Sequence, residues 1–245
     1  MKYNNKQIID MYKNGMTATA IAIQLKTYNT TIRRILLRNN IRLRSNSEIQ
    51  ARVKVNPFLL KTEKSKYWFG YFLADGNLCG NRVNISTNKD PEHLEKYAKY
   101  LRIKVRKYLN KKYNVWEYSV NFYSKKIKKY LNSINIYDRK SLDLNPNIKL
   151  DRHILRGIFD GDGSVREESI TITSGSIKFI KSIKKFLKLN KIKSYIYVDK
   201  RGNYCYNLYI SKLNFETFYT LIYQNSKIFM NRKYQAMGQL LSNKK

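Results

Sequence analysis

Apolar positions recur at helical spacing near the start of the chain and alternate at strand spacing further on. In 6–13, Ile8, Ile9, Met11 and Tyr12 share one side and Asn14-Gly15 supplies a stop; Thr17 then caps a second helix, Ala18 to Leu25. Asn29 is placed to cap a third, Thr30 to Asn39, with Ile32, Ile35 and Leu36 on one side. Periodicity fades from Asn40 to Lys64. An apolar helix then runs to Asp75, a strand alternates over 81–87, and Leu94, Tyr97, Ala98 and Leu101 mark a helix over 90–101. Strands are predicted at 106–109 and 115–123, the second with Trp116, Tyr118, Val120 and Phe122 inward, before a helix over 125–135. After 136–150 the plan returns: helix 151–162, strand 169–173, helix 176–190, strand 194–198, a turn at 200–203, strand 204–210 and helix 213–223.

The return is a repeat in sequence as well as in plan. Trp68-Phe69-Gly70-Tyr71-Phe72-Leu73-Ala74-Asp75-Gly76 and Leu155-Arg156-Gly157-Ile158-Phe159-Asp160-Gly161-Asp162-Gly163 are both apolar stretches with small third and seventh residues, then an acid and a glycine. Their acids lie 87 residues apart, as do Ile85-Ser86-Thr87 and Ile172-Thr173-Ser174, and Ser124-Lys125 and Ser211-Lys212. The last helices align one residue later, Ile127 with Phe215. Gly70 and Ala74, and Gly157 and Gly161, are four apart, so each pair lies on one helix face and lets two backbones approach. Asp75 and Asp162 would then project from adjacent helix C-termini, where the dipoles add negative potential. Two such acids call for a cation between them, and hard oxygen ligands point to Mg²⁺. Asp160 faces Leu73 at the same motif position and is left out of the pair.

Composition narrows the partner. Lys and Arg number 49 against 17 Asp and Glu, a formal charge of +32, interleaved with 21 Tyr and 10 Phe. That combination points to nucleic acid, where a membrane surface would call for a basic amphipathic or lipidated segment. No run approaches the roughly 18 apolar residues of a membrane span and the N-terminus lacks the apolar core of a secretory signal, so an intracellular setting is expected. Heavy use of Asn, Lys, Ile and Tyr suggests an AT-rich genome of a phage, organelle or bacterium. Cys79 and Cys205 are read as ordinary thiols.

Two resemblances follow from these residues. Helix, turn and basic helix over 1–45, led by Gly15-Met16-Thr17, resemble the helix-turn-helix of resolvase- and invertase-type DNA-binding domains, with Lys26 where the turn commonly has Gly; Arg33, Arg34 and Arg38 would meet DNA. A small bundle without a DNA role is the alternative. Residues 64 to about 235 resemble the double-motif LAGLIDADG homing endonucleases. The implied fold is α+β: two pseudo-symmetric αββαββα halves, 64–137 and 151–245, with DNA-facing antiparallel sheets, joined by a linker at 138–150. A basic linker, 46–63, joins them to the small all-α domain.

The same resemblance implies Asp75 and Asp162 as catalytic acids, with Mg²⁺ held by both and by the carbonyls of Ala74 and Gly161. It implies a lysine at the end of each half's last strand, Lys125 (or Lys126) and Lys212. It also implies cleavage to 5′-phosphate and 3′-hydroxyl ends with short 3′ overhangs. Base contacts would come from Arg82, Asn84, Ser86, Asn121 and Tyr123 in one half. In the other they would come from Arg166, Thr171, Thr173, Tyr195, Tyr197, Arg201, Asn203 and Asn207, so a monomer would read a long asymmetric duplex. The alternative is a non-cleaving binder on the same scaffold, either a maturase acting on intron RNA or a DNA-binding regulator.

Overall fold

The structure is a computed structural model; it describes residues 4–45, 53, 56–138, 142–200 and 205–242. The chain forms two compact units, 1–52 and 53–245.

In the first unit, α1 (Asn5–Lys13), α2 (Ala18–Gln24) and α3 (Asn29–Arg38) pack around Ile8, Tyr12, Ile21, Ala22, Ile32 and Leu36. Thr17 caps α2 as expected, accepting from the Ala20 N–H at 3.1 Å. Asn29 does not cap α3. Tyr28 holds that position without a side-chain bond, and the Asn29 amide donates to Thr19 Oγ1 at 3.0 Å instead. Lys26, standing where a glycine was expected, takes a positive φ of 49°, the left-handed region that costs a side-chain-bearing residue of order 1 kcal/mol. Arg44, beyond α3 where the periodicity of the sequence fades, closes the bundle. Its guanidinium lies 4.1 Å from the Tyr12 ring centroid and donates to the carbonyls of Tyr12 and Gly15, both at 3.1 Å, and of Met16.

The second unit contains both repeats. The first half is α4 (Glu63–Asp75), β1 (Gly76–Cys79), β2 (Arg82–Thr87), α5 (Pro91–Leu101), β3 (Arg106–Asn110), β4 (Val115–Tyr123) and α6 (Lys125–Ser133). The second is α7 (Arg152–Asp162), β5 (Gly163–Val165), β6 (Ser169–Ser174), α8 (Ile177–Leu189), β7 (Tyr195–Asp199), β8 (Cys205–Ser211) and α9 (Phe215–Tyr223), followed by α10 (Asn231–Ser242). Each half holds a four-stranded antiparallel sheet, ordered β1-β2-β4-β3 and β5-β6-β8-β7.

Alternation along the strands gives each sheet one apolar face against helices and one open face. Val83 pairs with Phe122 and Ile85 with Val120 on the covered face; Ile172 and Leu208 do the same in the second sheet. Two expectations change here. Trp116 is 52% exposed: β3 and β4 run on beyond the helical cover, where Trp116 meets Lys107 at 4.6 Å rather than the core. Phe58, in the stretch expected as a linker, is fully buried and stacks on Phe72 at 4.8 Å.

Candidate active site

The centre of the second unit is the contact between α4 and α7, which is made by main chain. A Cβ added to Gly70 would lie 2.1 Å from the Ile154 carbonyl oxygen, and one on Gly157 would lie 2.1 Å from that of Tyr67. The small residues at i and i+4 therefore do what their spacing implies. The glycines after the acids are required too: a Cβ on Gly76 would lie 2.1 Å from a ring carbon of Phe72, and one on Gly163 2.3 Å from a ring carbon of Phe159. Helix thus gives way to strand at the same point in both halves, with the acid as the last helical residue.

Asp75 and Asp162 consequently emerge from neighbouring helix C-termini. Asp75 approaches α7 closely, its carboxylate 3.5 Å from the Cβ that Gly161 lacks. Buried Tyr71 hydrogen-bonds Asp75, and burial together with that carboxylate pushes the Tyr71 hydroxyl far above its ordinary range. Its repeat counterpart is Ile158, so this contact occurs on one side only. Both acids carry the helix-terminal penalty of negative potential.

Asp160 has a separate task. It is fully buried, accepting from Tyr67 (2.6 Å), Tyr223 (2.6 Å) and the Met230 N–H (2.7 Å). Burial raises its pKa, and these donors together with Lys233 work against that rise. Because the Tyr67 proton goes to Asp160, its oxygen must accept from His93 Nε2 at 2.8 Å. Nε2 of His93 therefore carries a proton, and burial, which lowers the ring's pKa to about 3, keeps it neutral. Arg156, also fully buried, ties α7 to Ile222 and Ile228 carbonyls at 2.8 Å and to Glu63 at 2.7 Å.

The lysines expected beside the acids lie elsewhere. Val120 is the β4 residue level with Gly76, and Leu208 the β8 residue level with Gly163. Lys125 and Lys212 therefore follow the opposite strand ends, about 14 Å or more along the strand at ~3.4 Å per residue. Lys125 and its alternate Lys126 start α6 on the surface, and Lys212 pairs with Glu168 at 2.6 Å.

The lysine at the centre is Lys233 of α10, only 5% exposed. Its ammonium donates to the carbonyls of Phe159 and Gly161, both at 2.8 Å. Burial lowers its pKa to about 8, opposed by Asp160, Asp75 and Asp162 and reinforced by Arg232. No helix after Tyr223 was expected from the sequence. In so basic a chain, a lone lysine outside the repeat carries no distinguishing mark.

The remaining candidates gather on the open sheet faces. Arg82 pairs with Tyr123, Asn84 with Asn121 and Ser86 with Ser119. Thr171 and Tyr195 both flank Tyr209; Thr173 and Tyr197 both flank Asn207, whose side-chain oxygen accepts from Thr173 at 2.6 Å. Register adds Asn77, Arg106 and Tyr108 to the first face and Tyr209 to the second. Arg166 is exposed in the β5–β6 turn. Arg33, Arg34 and Arg38 are exposed on α3, and Arg201 and Asn203 fall outside the described residues. Among the described residues, no three His, Cys, Asp or Glu converge, and no helix is long and apolar enough to cross a membrane.

Residues 149–223 match the family model of a LAGLIDADG-like domain. Among solved structures, the meganuclease I-SmaMI bound to uncleaveable DNA is 14% identical with a TM-score of 0.50, over 78% of this chain and 92% of that one. I-DmoI in complex with DNA and Ca is 16% identical with a TM-score of 0.49, over 71% and 96%. Full-length WhiA from Thermatoga maritima is 20% identical with a TM-score of 0.48, over 80% and 65%. A search of curated proteins returned no match. With its two four-stranded sheets flanking a glycine-lined helix pair, the chain carries a LAGLIDADG-like domain within a two-halved fold of the LAGLIDADG endonuclease kind.

Proposed function

We propose that this chain is a metal-dependent, site-specific double-strand DNA endonuclease of the homing type. The observation that carries the reading is the pairing of Asp75 and Asp162 on helix ends whose main chains touch, one acid from each half. One acid and one open polar face per half suit an enzyme that cuts both strands of a duplex. The charge of +32 supplies sequence-independent affinity for phosphates. Because the two open faces carry different hydrogen-bonding and stacking groups, the target would be long and asymmetric, read in the major groove by a monomer. The exposed arginines of α3 would extend the recognised site.

The donor set fits a hard divalent cation such as Mg²⁺: two carboxylates, the carbonyls of Ala74 and Gly161, and otherwise water and phosphate oxygens. Bound there, such an ion supplies charge neutralisation at the scissile phosphate and a more acidic water. The protein's own part is positional. The glycine contact fixes the spacing of the two acids, and Tyr71 orients Asp75. Expected products are 5′-phosphate and 3′-hydroxyl ends with short 3′ overhangs.

A second reading, a nucleic-acid binder that does not cut, has one observation in its favour: the Lys233 ammonium already occupies the carbonyl preceding Asp162. Plasmid DNA carrying the parent locus, incubated with Mg²⁺ or EDTA, separates the two. Asp75→Asn and Asp162→Asn should each abolish double-strand cutting and retain binding. Unchanged cleavage refutes the assignment, and wild-type protein that binds the locus but never nicks it favours the binder.

A further inference from the structure

The open face of the first sheet carries an acid in a chain of charge +32. Register sets Glu117 of β4 directly across from Tyr108 of β3, flanked on that face by the Ser119–Arg106 and Val115–Asn110 pairs. Arg82, Asn84, Asn121 and Tyr123 continue the face, and no other strand residue on it is acidic. Leu208 stands in the second sheet where Val120 stands in the first, so Cys205 stands where Glu117 does. The acid therefore belongs to one half. It is also held in place: the Tyr108 hydroxyl donates to Oε2 at 2.5 Å and the Asn110 amide donates to Oε1. Those bonds keep its carboxyl below the ordinary carboxylate range, so it is ionised at neutral pH. A carboxylate on a face that meets phosphates is repelled by them, and neutral groups could brace β3 to β4 without that cost. What the carboxylate adds is chemistry that only accepts, at about four lone-pair sites, of which Tyr108 and Asn110 use two. The remaining sites take only donors. In the major groove these are the amino groups at cytosine N4 and adenine N6, and adenine sets an acceptor, N7, beside its donor where cytosine does not.

We propose that Glu117 is a specificity-determining residue: its carboxylate, oriented by Tyr108 and Asn110, accepts from the N4 amino group of a cytosine and selects a C·G pair at one position of the target. The proposal rests on the reading that the open faces meet a duplex in the major groove, and not on cleavage or a metal. With Cys205 at the corresponding place, the other half makes no such contact, and the selected pair has no symmetric counterpart in the site.

The test is selection of bound duplexes from a randomised pool by the full chain, in Ca²⁺ and in parallel in EDTA, followed by sequencing. The proteins are wild type, Glu117→Ala, Glu117→Gln and Tyr108→Phe. Wild type should enrich a site in which one position is cytosine by about tenfold or more over the other bases. Glu117→Ala should lose the preference at that position and keep it elsewhere. Glu117→Gln should move it to adenine, which a side-chain amide matches at N6 and N7, and Tyr108→Phe should weaken it without changing the base. A site enriched equally by wild type and Glu117→Ala, or a preference eroded at every position alike, would make Glu117 a brace for Tyr108 and Asn110 and overturn the proposal alone. Wild type that enriches no sequence would overturn the open-face reading, and the proposal with it.

Discussion

The two copies of the nine-residue motif repeat each other in main chain and part company in polar groups. Gly70 and Gly157 each place a helix against the other's backbone, and Gly76 and Gly163 each clear a phenylalanine four residues back. At the sixth position the copies diverge: Leu73 joins the apolar core, while Asp160 gathers two hydroxyls and an N–H. Two of those donors, Tyr223 and Met230, come from α9 and the segment before α10, where the second half runs on past the repeat. Pseudo-symmetry thus holds where backbone meets backbone and ends where the extra C-terminal segment packs in. The Met230 donor to the polar hub, the buried lysine and the arginine of the Arg232–Asp90 tie all belong to that segment.

The largest effect should come from making the second copy like the first. Asp160→Leu strands Tyr67, Tyr223 and the Met230 N–H in the core; at about 1–3 kcal/mol for each orphaned group, the expected loss in urea denaturation is more than about 3 kcal/mol. If the second half tolerates leucine as the first does, the hub is dispensable. Next in size, Gly70→Ala and Gly157→Ala should each cost about 1–3 kcal/mol by overpacking and should match one another, since both meet a carbonyl at 2.1 Å. A clear inequality would show that the helix interface is itself asymmetric.

Arg232→Ala should cost least, about 1 kcal/mol, because the arginine end of the pair is half-exposed although the Asp90 end is buried. Its signature is in pH. The Arg232 hydrogen bond holds the Asp90 pKa below its ordinary value, so the pair stabilises above the unfolded carboxylate range and loses that contribution as pH falls through the folded value. Stability of the wild type should drop more steeply than that of Arg232→Ala below about pH 4. Parallel curves would remove this tie from the list of second-half additions.

Much of this frame is legible in residues alone, because small residues at i and i+4 and an acid before glycine are local statements about helix faces and helix ends. The inner faces of β2, β6 and β8 follow from alternation for the same reason. Strands β1 and β5 escape that reading, since three or four residues directly after a helix show no period. Trp116 misleads because alternation tells which side a residue faces but not how far the helical cover reaches. Lys125 and Lys212 were expected from the resemblance, and only strand register shows which end of the hairpin they follow. Lys233 depends on tertiary contacts with Phe159 and Gly161, 74 and 72 residues away, with no spacing to announce them.

The glycine seam has one more consequence. Side chains on the open sheet faces can be exchanged one by one, and in the proposed function each exchange would alter what is read. The interval between the two acids answers to none of them, because it is set by carbonyls and α-carbons in van der Waals contact. Under the proposed function, retargeting either sheet should therefore leave the stagger between the two nicks unchanged, as a caliper keeps its setting whatever is placed between its jaws.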